Sequence, residues 1–180
     1  RGGHYCNYVR RIITADLFED SELKIPYEML IGSSTAVDIA STKKGVVTGK
    51  HGYRSDAAFC LEEVDPNLYD MLILPGGKAP SSLREEPKVL EIVQTFFDQN
   101  KLVAAICHGP QILISAGLMK SRTATGYKSI AQELKDAGAV YKDQEVVVDK
   151  NLITSRQPSD LPAFMQAIKD HMSRKNAQKQ

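Results

Sequence analysis

The sequence predicts an α/β domain: a mostly parallel sheet with helices on both faces. Two observations predict it. Short apolar runs rich in Val, Ile and Leu, at 12–14, 36–40, 71–74, 102–106 and 146–148, alternate with longer stretches at 20–31, 88–100, 110–117, 129–137 and 158–172. The longer stretches repeat their apolar residues at three- and four-residue spacing, which is helical, whereas the runs are too short and too apolar for surface helices. Strands alternating with helices in this way pair in parallel, because each helix carries the chain back to start the next strand. The length of 180 residues suits one domain, enough to bury about 70% of the surface its unfolded chain exposes.

Taken in order, the first strand precedes a stretch crowded with acids, Asp16, Glu19, Asp20 and Glu22. Acids in the first turn of a helix complement its dipole, and that accounts for most of them. The segment 45–60 carries turn signals at Thr48-Gly49 and His51-Gly52 and reads as an inserted strand or hairpin. The run 71–74 passes directly into Pro75-Gly76-Gly77, and the run 102–106 into Cys107-His108-Gly109-Pro110 at the start of a helix. Residues 1–8 and 173–180 read as a loosely ordered extension and tail.

Composition excludes several classes. With 23 Lys+Arg against 22 Asp+Glu, the net charge of +1 gives no electrostatic case for a nucleic-acid binder. No apolar run approaches the roughly 20 residues of a membrane span, and the chain is expected in the cytoplasm. Three cysteines, at 6, 60 and 107, lack both C-x-x-C spacing and an even count, so neither a disulfide framework nor a zinc site is expected. No histidine has a second ligand at metal spacing, and neither metal nor cofactor is expected.

In open α/β sheets the chemistry sits where strands end. Cys107 occupies a strand-to-helix turn of the nucleophile-elbow kind, which lifts one side chain above the sheet and aims the first helical N–H groups at it. A helix N-terminus lowers a thiol pKa, and the thiolate is the nucleophile. The glycines of Pro75-Gly76-Gly77 let backbone approach a ligand with no Cβ in the way, so an N–H there and that of His108 form a candidate oxyanion hole. An acid held beside a thiolate helps only if it keeps its proton and donates a hydrogen bond. Residue types alone leave open which of the four acids does this. Cys6 and Cys60 have no elbow and read as packing residues.

The runs Phe18-Glu19-Asp20, Thr48-Gly49-Lys50-His51-Gly52-Tyr53, Leu74-Pro75-Gly76-Gly77, Ala105-Ile106-Cys107-His108-Gly109-Pro110-Gln111 and Thr154-Ser155-Arg156-Gln157-Pro158-Ser159-Asp160-Leu161 closely resemble the PfpI branch of the DJ-1/PfpI superfamily, in order and from about residue 12 to 172. The resemblance implies a flavodoxin-like three-layer sandwich, related to class I glutamine amidotransferases and assembled as a homo-oligomer, dimer or hexamer. It implies Cys107 as nucleophile, His108 as proton carrier, Glu19 as the acid contacting the sulfur, Gly76 and Gly77 with His108 as the oxyanion and substrate-binding backbone, and Tyr127 as a pocket residue. It implies a substrate that is a small reactive aldehyde, a glycated protein or a peptide.

Three departures from the family pattern stand out. Peptidase-like members carry a Glu after Ala-Pro that reaches the neighbouring subunit's His, and here Ala79-Pro80 is followed by Ser81. Arg10 and Arg11 stand where relatives place apolar residues in the first strand, and must find partners or lie outside it. Ser34 replaces the glycine that ends the first helix in relatives. Glutamine amidotransfer is disfavoured, because the only late histidine is His171. The leading expectation is a cysteine-dependent, stress-protective enzyme acting on aldehydes or glycated adducts, of glyoxalase or deglycase type; the alternatives are an intracellular cysteine peptidase and a non-enzymatic redox sensor or chaperone.

Overall fold

In a computed structural model of the chain, the described residues are 9–32 and 36–179. Seven strands form the central sheet in the order β10-β11-β7-β6-β1-β2-β5. They are β1 (Val9–Ile13), β2 (Ala36–Ser41), β5 (Phe59–Cys60), β6 (Met71–Leu74), β7 (Leu102–Ile106), β10 (Val147–Asp149) and β11 (Leu152–Ser155). All neighbours pair in parallel except β10 with β11. Every residue of β6, β7 and β11 is buried, as strands covered on both faces require.

The helices are α1 (Asp20–Gly32), α2 (Ala79–Leu83), α3 (Pro87–Asp98), α4 (Pro110–Ser115), α5 (Ala131–Asp136) and α6 (Leu161–Lys179). α1 packs on α6, while α3 and α4 pack together with α2 and α5 against α4, giving the three layers of a flavodoxin-like sandwich. In α3 the buried residues Val89, Ile92, Val93 and Phe96 follow the i, i+3, i+4, i+7 stripe that seats a helix on a sheet. The inserted segment is a hairpin of β3 (Gly45–Thr48) and β4 (Arg54–Ala57), and a small parallel pair joins β8 (Thr123–Ala124) to β9 (Val140–Tyr141).

The tail differs from expectation, since α6 continues as helix through residues 173–179. The expected N-terminal extension and the Ser34 cap lie outside the described residues. β11, which the apolar-run pattern does not predict, lies between β7 and the edge strand β10, and its Ser155 carbonyl accepts the Cys107 N–H. The 146–148 run is the antiparallel edge strand instead, shifted by one residue.

Both arginines of β1 are inside. Arg10 pairs with Asp70 at 2.9 Å. Arg11 is fully buried between two aromatic faces, its guanidinium carbon 3.9 Å from the Tyr69 ring centroid and 4.6 Å from that of Phe59, with Asp38 at 3.9 Å. Its three guanidinium nitrogens have no hydrogen-bond partner among the described residues. Burial pulls its pKa down to about 10 against the opposing pull of Asp38. Stacking offsets part of the cost of burying this charge, but unmade hydrogen bonds leave the remainder. Arg11→Met is therefore expected to raise stability, by about 1 kcal/mol in urea unfolding. A loss above about 2 kcal/mol would show that the aromatic sandwich outweighs desolvation.

Candidate active site

The site is built at the carboxyl ends of β6, β7 and β1, where three turns converge. Cys107 follows β7 with a φ of 64°, the left-handed region that non-glycine residues rarely enter, so the elbow is strained and the side chain is displayed above the sheet. The Cys107 N–H donates to Ser155 O at 3.0 Å and its carbonyl accepts from Tyr127 N–H at 2.9 Å, which locks both sides of the turn to neighbouring segments. Cys107 is buried, 7% exposed.

The Pro75-Gly76-Gly77 turn presses against it. Gly77 has a φ of 82°, and its N–H and that of His108 are directed at the sulfur. Gly76 serves otherwise than expected. Its N–H is taken by Glu22 Oε1 at 2.8 Å and is not offered to a substrate. The reason for glycine there is close approach, because a Cβ would lie 2.6 Å from the Cys107 Cβ and 2.6 Å from Glu22 Oε1.

Two acids act on the Cys107 thiol, Glu22 more strongly than the expected Glu19. Glu19 turns towards the hairpin, 3.2 Å from Lys50 Nζ and 3.6 Å from His51 Nε2, and lines the mouth of the cleft. Glu22 has no exposed surface, and its Oε2 has no hydrogen-bond partner among the described residues. Burial pushes its pKa up to about 8, against the Gly76 N–H that favours the carboxylate. At neutral pH it therefore keeps its proton. The signal was in the helical phase: Glu22, Pro26 and Leu30 stand at i, i+4 and i+8 on the buried face of α1, whereas Glu19 precedes the helix.

The thiol is likewise not lowered as the helix start alone suggests. Burial, and then the Glu22 carboxylate, push the Cys107 pKa up to about 12, while the Gly77 and His108 N–H groups pull it down. The repulsion from Glu22 exists only when that acid is ionised. With Glu22 neutral, that repulsion is removed, leaving burial and the smaller influence of Glu19 to raise the thiol pKa.

His108 Nδ1 lies 3.2 Å from the Cys107 sulfur, and its ring packs against Tyr127 with centroids 5.2 Å apart. Burial, and the Lys50 charge, hold the imidazole below its ordinary pKa, opposed by Glu133. These groups face a cleft of about 550 Å³, within the range of small-molecule sites, whose wall includes Lys50, Lys78, Ser81 and Tyr127. The hairpin holds this wall in place because Asp20 accepts from the His51 and Tyr53 N–H groups at 3.0 and 2.8 Å and Asp16 from that of Thr48 at 2.9 Å. Ser81 donates its hydroxyl to Lys78 O at 2.7 Å. Cys60 is half-buried on the edge strand β5, away from the elbow. Among the described residues no three His, Cys, Asp or Glu side chains are grouped to hold a metal, and no helix is long and apolar enough to cross a membrane.

A thiol displayed over the carboxyl edge of a parallel sheet, with main-chain donors aimed at it, is the arrangement of α/β enzymes that work through a cysteine. The chain belongs to the DJ-1/PfpI family, whose pattern matches residues 11–171. It is 48% identical to the deglycase PfpI of Pyrococcus furiosus over 153 residues, covering 85% of this chain and 92% of the relative. It is 42% identical over 156 residues to protein/nucleic acid deglycase 2 of Escherichia coli, covering 85% and 91%. The Bacillus subtilis protein YraA, named as a candidate cysteine protease, is 44% identical over 156 residues, covering 85% and 91%. Among solved structures, a two-domain protein of Anabaena variabilis with DJ-1/ThiJ/PfpI-like and ferritin-like domains superposes with a TM-score of 0.90 at 36% identity, covering 92% of this chain. The present chain spans about half of that protein, 48% of its length. DJ-1 of Schizosaccharomyces pombe gives a TM-score of 0.82 at 26% identity, covering 90% of each chain.

Proposed function

We propose that this chain is a cysteine-dependent, stress-protective enzyme that acts on reactive aldehydes and their adducts on proteins. The observation that carries this reading is the cluster of Cys107, the Gly77 and His108 N–H groups and the buried neutral Glu22, with His108 Nδ1 at 3.2 Å from the sulfur. His108 Nδ1 takes the thiol proton as the sulfur adds to an aldehyde carbon, and the new alkoxide of the hemithioacetal is received by the two N–H groups. For methylglyoxal, a proton then leaves the former aldehyde carbon and another is delivered to the neighbouring carbonyl carbon. This leaves a thioester of lactate on Cys107. Water hydrolyses the thioester, releasing lactate and restoring the thiol, with no oxidant or reductant consumed.

The Ser81 hydroxyl favours aldehydes over peptides. It is uncharged and committed to Lys78 O, so it supplies no carboxylate to hold an imidazolium while an amine leaves. The deglycase names of the Pyrococcus and Escherichia relatives support the same choice. The test is to offer methylglyoxal and a peptide panel side by side, with Cys107→Ala as control. Methylglyoxal consumption with lactate release, lost in the variant, is expected alongside slow peptide cleavage. Peptides cleaved as fast as methylglyoxal, with both lost in Cys107→Ala, would put the peptidase reading ahead.

A further inference from the structure

His108 has a second contact that the proposed chemistry has not used. Its Nε2 lies 3.3 Å from the hydroxyl oxygen of Ser129. Ser129 belongs to a short 3₁₀ turn, Lys128–Ile130, and that turn is not free to drift. Ile130 is buried and its N–H donates to Tyr127 O at 2.9 Å, while the Tyr127 N–H donates to the Cys107 carbonyl at 2.9 Å. The residue that touches the far side of the imidazole is thus pinned, through two main-chain bonds, to the cysteine on the near side. Tyr127 covers the ring from the same segment.

We propose that Ser129 is the positioning residue of His108, its hydroxyl oxygen accepting the Nε2–H and so leaving the Nδ1 lone pair facing the Cys107 thiol. This rests on the reading of Cys107 and His108 as a reacting pair. The reasoning is one of proton inventory: neutral imidazole carries one proton, and the nitrogen that receives the thiol proton must be the other one. A hydroxyl can accept at Nε2 whether the ring is neutral or charged, and with Ser129 exposed its own proton is free to turn to solvent. A second group strengthens the case without touching the ring. Glu133, one turn further on, is held by Arg84 and by Gln111 Nε2 at 2.9 Å, and its charge favours the imidazolium.

Orientation of the imidazole would thus come from a hydroxyl of the same chain and not from a carboxylate. The two devices differ in strength. A hydroxyl fixes the tautomer but adds no negative charge, which suits carbonyl addition better than expulsion of an amine. The charged and titratable groups facing His108 are Cys107 from the elbow, Lys50 from the hairpin, Glu133 from α5 and Tyr127, which precedes the 3₁₀ turn; a change confined to Ser129 leaves all of these in place.

The test reads the ring and the thiol directly, so it does not depend on which substrate the enzyme takes. Long-range ¹H–¹⁵N spectra of the full chain are expected to show His108 protonated at Nε2 at pH 7.5. In Ser129→Ala the two tautomers should mix, and alkylation of Cys107 by iodoacetamide at that pH should slow by about 3- to 10-fold, the size of one neutral hydrogen bond. Ser129→Thr, which keeps the hydroxyl, should restore both. A Ser129→Ala protein with the wild-type tautomer or the wild-type alkylation rate overturns the proposal. Failure to consume aldehydes with these two readouts as expected would instead count against the substrate class alone.

Discussion

Gly77→Ala will lower the stability of the protein by roughly 3–5 kcal/mol, whereas Gly117→Ala, at a comparable backbone angle, will cost only about 1 kcal/mol. Both glycines have positive φ, 82° and 73°, so both substitutions pay the strain of a side chain in the left-handed region. They differ in surroundings. A Cβ on Gly77 would lie 2.4 Å from the Glu19 nitrogen, 2.7 Å from the Leu17 oxygen and 2.7 Å from the Phe18 carbonyl carbon, all of them backbone, while nothing lies within 4 Å of one on Gly117. Backbone cannot swing aside as a flexible side chain can. The segment from Leu17 to Glu19 is tied to the glycine turn by the Phe18–Gly77 bridge, by Glu19 N–H to Gly76 O at 3.2 Å and by Lys78 N–H to Leu17 O at 2.8 Å. Moving it also moves an N–H directed at the Cys107 sulfur, so aldehyde turnover should fall with stability. Urea unfolding of the two variants in parallel decides the matter; equal losses would refute the steric account.

Glu22→Gln will flatten the dependence of stability on pH between about 5 and 8. The folded pKa of Glu22 is raised from the 4.5 of an unperturbed glutamate to about 8, so the folded state binds this proton more tightly than the unfolded chain does. Its contribution is then fully present below the unfolded value and is lost as pH rises through the folded one. Within that window wild-type stability should decline by up to about 1.4 kcal/mol per pH unit, a total on the order of 3–5 kcal/mol. Glutamine keeps an oxygen for the Gly76 N–H and has no proton to lose, and the variant should be the more stable protein at pH 8. Urea midpoints at pH 5.5 and 8 provide the measurement. Parallel declines in the two proteins would mean that Glu22 is ionised throughout.

Much of this site was legible because its parts are contiguous in sequence. The elbow is one run, Cys107-His108-Gly109-Pro110, and the facing turn is another, so composition and position identified both. The choice between Glu19 and Glu22 depended on where α1 begins and which face it buries, and a crowd of acids at a helix start obscures that phase. β11 was overlooked because half of it is polar, yet Thr154 and Ser155 are buried. Thr154 is accommodated by accepting the Thr125 N–H at 2.9 Å, a contact 29 residues away that no local pattern announces. For the arginines of β1 the pattern leaves open whether they find partners or lie outside the strand; they lie in it, and Asp70, Tyr69 and Phe59, which meet them, come from 48 to 60 residues away.

The donors aimed at the sulfur belong to the main chain, whereas the imidazole and carboxyl groups around it, those of His108 and Glu22, are side chains. Genetic variation acts on these two sets unequally. Any residue at position 108 brings an N–H with it, proline excepted, so the main-chain donors persist under substitution while the side chains around them are exchanged. A lineage can therefore trade one reaction for another by altering imidazole, carboxyl and hydroxyl neighbours without first rebuilding the place where an oxyanion rests. On this scaffold, side-chain changes at positions such as Ser81 and Ser129 would alter the groups facing the cleft while leaving the main-chain donors in place.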